Sequence, residues 1–157
     1  MLQVGSKAPA FELPDASMEM IQLSSFRGKK NVVLYFYPRD GTPGCTLEAI
    51  DFSDHEESFD ECDTVVFGVS RDDCLAHEEF RDKHGISLRL LSDEDCEVMK
   101  RYEVLTEQAH NGISRPCIHR ATFVIDKTGT VRHILRDLNP REHAAEVLKL
   151  VRRIHGH

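Results

Sequence analysis

Two uninterrupted apolar runs, "NVVLYFY" over residues 31–37 and "TVVFGVS" over residues 64–70, constrain this chain more than any other feature. Runs of β-branched and aromatic residues without polar alternation mark strands covered on both faces, and such strands occur mainly in parallel sheets. Residues 38–63 lie between them, enough chain for a crossover helix. A βαβ unit follows. Its helix is expected from near Pro43 to near Glu61, because Cys45, Ala49, Phe52 and Phe59 recur at helical spacing. The rest of that segment is acidic: from Leu47 to Asp63 there are eight Asp or Glu and no Lys or Arg. A solvated helix face explains this more simply than a docking surface.

The remaining elements keep the alternation. Phe11 to Leu23, with the turn-forming Leu13-Pro14-Asp15, reads as a small N-terminal hairpin, a lid or edge to the main sheet. "DDCLAHEEFRDKHG" reads as a helix begun at Asp72 or Asp73 and stopped by Gly85, followed by a short strand around Leu88 to Leu91. Ser92 is a candidate cap for the next helix, and Thr106 to Pro116 a loop. "ATFVID" and "TVRHIL" flank Asp126-Lys127-Thr128-Gly129 as a hairpin, and Pro140 to Ile154 is an amphipathic helix with Ala144, Val147, Leu148 and Val151 inward. These elements imply an α/β protein with a mixed central sheet flanked by helices, of thioredoxin-like fold, formed by residues 1–157 as one domain.

Composition then excludes several function classes. A net charge of -7 disfavours nucleic acid and anionic membrane surfaces as partners. No run approaches the roughly 18–20 apolar residues of a membrane span, and Met1 to Pro9 lacks a secretory core, so the expected compartment is the cytoplasm. Cysteines at 45, 62, 74, 96 and 117 form an odd set without Cys-x-x-Cys, which fits neither a disulfide scaffold nor a zinc ribbon. Nine His and five Cys leave a metal- or partner-binding module as an alternative, but only Cys117-x-His119 and His155-x-His157 are close pairs. Neither has structural zinc spacing, and no metal or other cofactor is expected.

Chemistry concentrates where the first core strand meets its helix, in "YPRDGTPGCTLEA". Ligands bind at the carboxyl ends of strands in open α/β sheets. With Thr42 as N-cap and Pro43 at the first helical position, Cys45 falls in the first turn, where backbone N–H groups and the helix dipole favour a thiolate. A cysteine after a strand is ordinarily a small buried hydrophobe. That role needs neither the cap, the preset turn nor the glycine that precede this sulfur, so Cys45 is a candidate nucleophile.

Pro38, Thr42 and Cys45 also match the Pro-x-x-x-Thr-x-x-Cys signature of peroxiredoxins. With "GSKAPAFELPD", "GVSRD", "LLSDED" and "HRATFVIDKTG" in order, nearly the whole chain resembles the bacterioferritin comigratory protein, or peroxiredoxin Q, subfamily. The resemblance implies a thioredoxin-like fold and a thiol peroxidase that reduces hydrogen peroxide or organic hydroperoxides without metal or haem. It places the peroxidatic cysteine at Cys45, a hydroxyl touching sulfur and peroxide at Thr42, a residue shielding the pocket at Pro38, and the active-site arginine at Arg120. Glu48 matches an acidic position that holds the arginine. Without the resemblance, Glu48 is an ordinary surface carboxylate and Arg120 a solvated strand end. His119 is left outside the catalytic set.

Thiolate attack on peroxide gives a sulfenic acid, which a second thiol must resolve. Many members of this subfamily carry that cysteine five residues after the first, where this chain has Ile50; others carry it where this chain has Arg81. Three routes stay open: an external thiol, Cys74 at the carboxyl edge of the sheet, or Cys117 in its loop. Cys62 is about 25 Å along the helix from Cys45, beyond disulfide reach. Cys96 is buried filler. The resemblance further implies a thioredoxin, glutaredoxin or small-thiol reductant, and a monomer more readily than a dimer. A thioredoxin-type disulfide reductase is the competing enzyme reading, but Thr42 occupies the place of its first redox cysteine.

Overall fold

The computed structural model describes residues 2–136 and 143–155. The chain opens with β1 (Glu12–Pro14) and β2 (Met20–Gln22), an antiparallel pair. The turn lies beyond Pro14: Asp15 Oδ1 accepts from the N–H groups of Ser17 and Glu19 at 2.8 and 3.0 Å. Pro14 itself closes β1, where a missing N–H costs nothing on an edge.

The two apolar runs become β3 (Asn31–Phe36) and β4 (Thr64–Ser70), paired in parallel from Asn31 opposite Thr64 to Phe36 opposite Val69. Every β3 side chain is buried, and the period of two divides them between two cores. Val33 and Tyr35 face Phe52, Phe59, Phe80 and Val147. Val32, Leu34 and Phe36 face Phe11, Leu13, Met99 and Tyr102. β5 (Arg89–Ser92) pairs in parallel with β4, while β8 (Ala121–Ile125) and β9 (Val131–Arg136) add antiparallel strands on the other side. The mixed sheet thus runs β5-β4-β3-β8-β9.

The expected helix from Pro43 to Glu61 is two helices, α1 (Pro43–Asp54) and α2 (Glu56–Glu61). His55 breaks it at φ -100° and ψ 2°, with its Nδ1 bonded to the carbonyl of Asp51 at 2.8 Å. Phe52 and Phe59, on either side of the break, are both fully buried against the sheet, each contributing about 2–3 kcal/mol. α3 (Cys74–His84) has the expected signals: the Asp73 carboxylate caps Ala76 N at 2.8 Å, and Gly85 stops the helix at φ 63°. Ser92 does not cap the next helix. It ends β5, and α4 (Glu97–Arg101) receives its caps from Asp93, whose oxygens accept from Val98 N and Met99 N at 3.3 and 2.9 Å.

The expected loop from Thr106 to Pro116 is also different: β6 (Leu105–His110) and β7 (Ile113–Ile118) form a separate hairpin. Asn111 and Gly112 turn it with φ of 53° and 76°, the left-handed pair that a two-residue hairpin turn requires. The Asn-Gly pair was the overlooked signal. The Asp126–Gly129 hairpin forms as expected, with Asp126 Oδ1 accepting from Thr128 N and Thr130 N at 2.9 and 3.1 Å. α5 (His143–His155) buries Ala144, Val147, Leu148 and Val151 against α1 and the sheet. The expected helix start at Pro140 lies outside the described residues. α1, α2, α3 and α5 cover one sheet face; α4 and the N-terminal hairpin cover the other.

Tyr35 lies across Gly68 of the neighbouring strand, so a Cβ at Gly68 would come within 2.7 Å of the Tyr35 ring and 2.9 Å of Leu90. Tyr35 is itself stacked on Phe52 at 4.7 Å and has nowhere to retreat. Gly68→Ala is therefore expected to destabilise the fold by about 1–3 kcal/mol, read as a lower urea midpoint at unchanged slope. An unchanged midpoint would show that the ring can move.

Candidate active site

The site begins where β3 ends. Tyr37 N still donates to Val69 O at 3.1 Å; the chain then turns through Gly41, at φ 86°, into α1. Thr42 occupies the N-cap position in extended backbone and Pro43 follows in the first turn. Cys45 is 1% exposed, with its sulfur on the sheet side of the helix among Tyr35, Ala49 and Phe52.

Arg120 reaches this sulfur from the neighbouring strand β8. β3 and β8 are antiparallel with Phe36 opposite Ala121, so the residue before β8 lies level with the carboxyl end of β3. Arg120 Nη2 donates to Cys45 Sγ at 3.0 Å and Nη1 to Glu48 Oε1 at 3.4 Å. The guanidinium is thus held between a sulfur and a carboxylate on successive turns of α1. Glu48 is buried, unlike most of the acidic run to which it belongs. Burial pushes its carboxyl up to about 7, against the pull of Arg120 and with a smaller push from Asp51.

Sequence reasoning missed the wall behind Glu48. His143, the first residue of α5, is buried with Nε2 4.0 Å from Glu48 Oε2 and hydrogen-bonded to Thr122 Oγ1. Burial, aided by the Arg120 charge, lowers His143 to about 4 and keeps it neutral. No local pattern marks this residue, because its partners come from α1 and β8. Beneath it Tyr35 is raised well above its ordinary value by burial and then by the Glu48 charge, so it remains a phenol.

The other anticipated residues are placed as follows. The Thr42 hydroxyl donates backwards to Arg39 O at 3.4 Å, and the described contacts of Sγ include Arg120 but not Thr42. Pro38 is half-buried and lines an open groove of about 790 Å³ with Arg39, Arg71, Arg115 and Cys117. Cys117 sits in β7 opposite Thr106 rather than in a loop. Cys74 is half-buried at the first position of α3, and the parallel pairing of β3 with β4 brings the starts of α1 and α3 to the same sheet edge. Cys62 closes α2 and Cys96 precedes α4, both buried; all five cysteines are free. His119 Nε2 bonds Thr106 Oγ1 at 2.7 Å, a structural contact.

Residues 4–134 match the AhpC/TSA family. The chain belongs to that family. It is a peroxiredoxin, a thiol-dependent peroxidase that consumes a peroxide and a thiol reductant. It is 40% identical over 151 residues to peroxiredoxin Bcp of Bacillus subtilis, covering 96% of each chain. To peroxiredoxin Bcp of Escherichia coli K12 it is 35% identical, covering 94% of each. The bacterioferritin comigratory protein of Xanthomonas campestris superposes with a TM-score of 0.87 at 30% identity over 92% of both chains. Peroxiredoxin Q of Xylella fastidiosa gives 0.89 at 29% identity over 100% and 99%. The thioredoxin-like fold expected from the sequence is that of these peroxiredoxins.

The buried carboxyl gives the peroxiredoxin a pH signature. A folded-state value of about 7 against an ordinary 4.5 means that the native state binds the Glu48 proton more tightly, so this group's contribution to stability falls as pH rises through that window. Relative to wild type, Glu48→Gln should gain about 3 kcal/mol in unfolding free energy between the acid and alkaline sides of the window. Urea unfolding of both proteins at each end measures it. Parallel pH dependences would mean that Glu48 is ionised throughout.

Proposed function

We propose that Cys45 is the peroxidatic nucleophile of this peroxiredoxin and that Arg120 is its principal transition-state contact. The observation that carries the reading is the 3.0 Å bond from Arg120 Nη2 to a buried sulfur in the first turn of α1. Attack of the Cys45 thiolate on the terminal peroxide oxygen forms the S–O bond and breaks the O–O bond. The departing alkoxide or hydroxide takes up a proton, leaving Cys45 as sulfenic acid. Negative charge moves from sulfur to the leaving oxygen, and a guanidinium already bonded to sulfur stabilises both ends of that shift.

Glu48 holds the guanidinium fork, since a pair anchored at one nitrogen leaves the other aimed. Pro38 screens the sulfur on the groove side. Thr42, whose hydroxyl makes no cap bond to α1, acts by offering that hydroxyl to peroxide once the weak 3.4 Å bond to Arg39 is exchanged. Hydrogen peroxide and organic hydroperoxides are the substrates; alkyl peroxide reduction is the activity named for the Xanthomonas campestris relative.

Resolution follows one of three routes: an external thiol, Cys74, or Cys117. In each, a thiol attacks the sulfenic sulfur, forms a disulfide and releases water. Thioredoxin, glutaredoxin or a small thiol then reduces the disulfide. Cys74 is supported over Cys117 by its place in the first turn of a helix, which frays at least cost, whereas Cys117 is held in a paired strand. We assign residues 1–157 to one domain working as a cytoplasmic monomer. Among the described residues no helix is long and apolar enough to cross a membrane.

Cys45→Ser should abolish peroxide turnover with native circular dichroism retained; turnover above about a tenth of wild type would remove Cys45 as nucleophile. Arg120→Ala should slow Cys45 oxidation on the order of 10²-fold, and an unchanged rate would remove Arg120 from the site. After one equivalent of peroxide, the Cys74 route predicts a loss of two hydrogens in intact mass and a Cys45–Cys74 crosslinked peptide. Dimedone-reactive Cys45 with no disulfide would leave the external thiol.

A further inference from the structure

The segment that presents Cys45 is tied to the rest of the molecule at Asp40. One carboxylate oxygen of Asp40 accepts from the Tyr37 hydroxyl at 2.6 Å and the other from His77 Nδ1 at 2.6 Å. Burial, and then the neighbouring Tyr35 and Asp40, raises Tyr37 well above its ordinary value, so it stays a hydroxyl donor. The Asp40 backbone N–H donates to Asp72 Oδ2 at 2.8 Å, and that oxygen also accepts from Ser70. His77, on α3, is completely buried, and its second nitrogen meets the carbonyl of Leu91 in β5 at 3.0 Å.

Those two contacts of His77 are chemically restrictive. A carbonyl only accepts, and a carboxylate receiving a phenol on its other oxygen is an acceptor as well. With Asp40 as a carboxylate, both ring nitrogens of His77 face acceptors, so each is placed to donate. Donor atoms of Asp40, Asp72 and His77 lie within 4.8 Å of one another, a spacing that would also suit a metal. Here, however, the His77 nitrogens and the facing carboxylate oxygens are already engaged with each other and with Leu91, Tyr37, Ser70 and backbone.

We infer that Asp40 and His77 are positioning residues for Cys45: a doubly donating imidazole pins the segment from Tyr37 to Thr42 against α3 and β5. The inference rests on the reading of Cys45 as nucleophile and extends it to the opening step. His77 stands one turn after Cys74, so the same tie holds the segment before Cys45 in place and the first turn of α3 wound. Releasing it frees both ends of the route by which a buried Cys45 becomes accessible to a resolving thiol. Pinning favours attack on peroxide, which needs a fixed pocket; release favours resolution, which needs an open one.

The test has a spectroscopic arm and a kinetic arm. In a long-range ¹⁵N–¹H spectrum of the reduced wild-type protein at neutral pH, both ring nitrogens of His77 should bear hydrogen. Asp40→Asn should oxidise Cys45 with hydrogen peroxide about 10-fold or more slowly, as for a displaced reacting group. Its oxidised form should be reduced by dithiothreitol at least as fast as wild type. Val131→Ala, a core truncation in β9 with a comparable loss of thermal stability, should leave both rates near wild type.

A neutral His77 with one protonated nitrogen overturns the proposal even if Asp40→Asn does not fold. So does a folded Asp40→Asn that oxidises at the wild-type rate, or a Val131→Ala that slows oxidation equally. Failure of the nucleophile assignment is seen separately, as turnover by Cys45→Ser with the His77 signature intact.

Discussion

The site depends on the register between β3 and β8. Five residue pairs, from Val32 opposite Ile125 to Phe36 opposite Ala121, set where β8 begins relative to the end of β3. Because Arg120 directly precedes β8 and α1 follows β3 after a short turn, that register determines whether the guanidinium meets the sulfur. A slip of one residue would exchange the two faces of β8, sending Phe123 and Val124 to the wrong cores. The packing that stabilises the sheet therefore also aims Arg120, and its contact with Cys45 is held by apolar burial.

Electrostatics around Glu48 show the cost of that arrangement. A buried carboxylate is unfavourable, and Arg120 is its nearest compensation. His143 carries the opposite shift, lowered to about 4, so it must lose its charge where Glu48 struggles to keep its own. Between the ordinary values of the two groups their contributions to the pH dependence of stability have opposite signs, and wild type shows only the difference. Placing the first residue of α5 against the second turn of α1 also couples the C-terminal helix to the arginine pair. Asp51 reinforces the contact by accepting from Ala144 N at 3.3 Å.

A cysteine that is 1% exposed cannot meet a second protein thiol without movement. Both candidate internal partners stand at the same end of the sheet, yet one begins a helix and the other lies within a hairpin strand. The first turns of α1 and α3 are the economical places to yield, since helix ends open at low free energy. The bond between Asp40 and His77 joins the segment before α1 to the first turn of α3.

Much of this was legible in the chain itself. Strands β3 and β4, the helix cap at Asp73 and stop at Gly85, and the Thr-Pro-Gly-Cys turn all rest on local chemistry: apolar periodicity, side-chain caps, preset φ and glycine at positive φ. The β6–β7 hairpin was legible too, in Asn111-Gly112, but was masked by the polar surroundings of that turn. The break at His55 was not, because Cys45, Ala49, Phe52 and Phe59 keep helical spacing straight through it. Nor were the burial of Glu48, the neutral His143 behind it, or the contacts of His77 with Asp40 and Leu91. Local sequence determines which segments fold into helices, strands and turns, and which cysteine stands in the first turn of a helix at the carboxyl end of a strand. Which charged groups are buried, and therefore which protonation states the site holds, is decided only when strands distant in sequence pair and the sheet closes over them, because desolvation belongs to the assembled core and not to any segment of it.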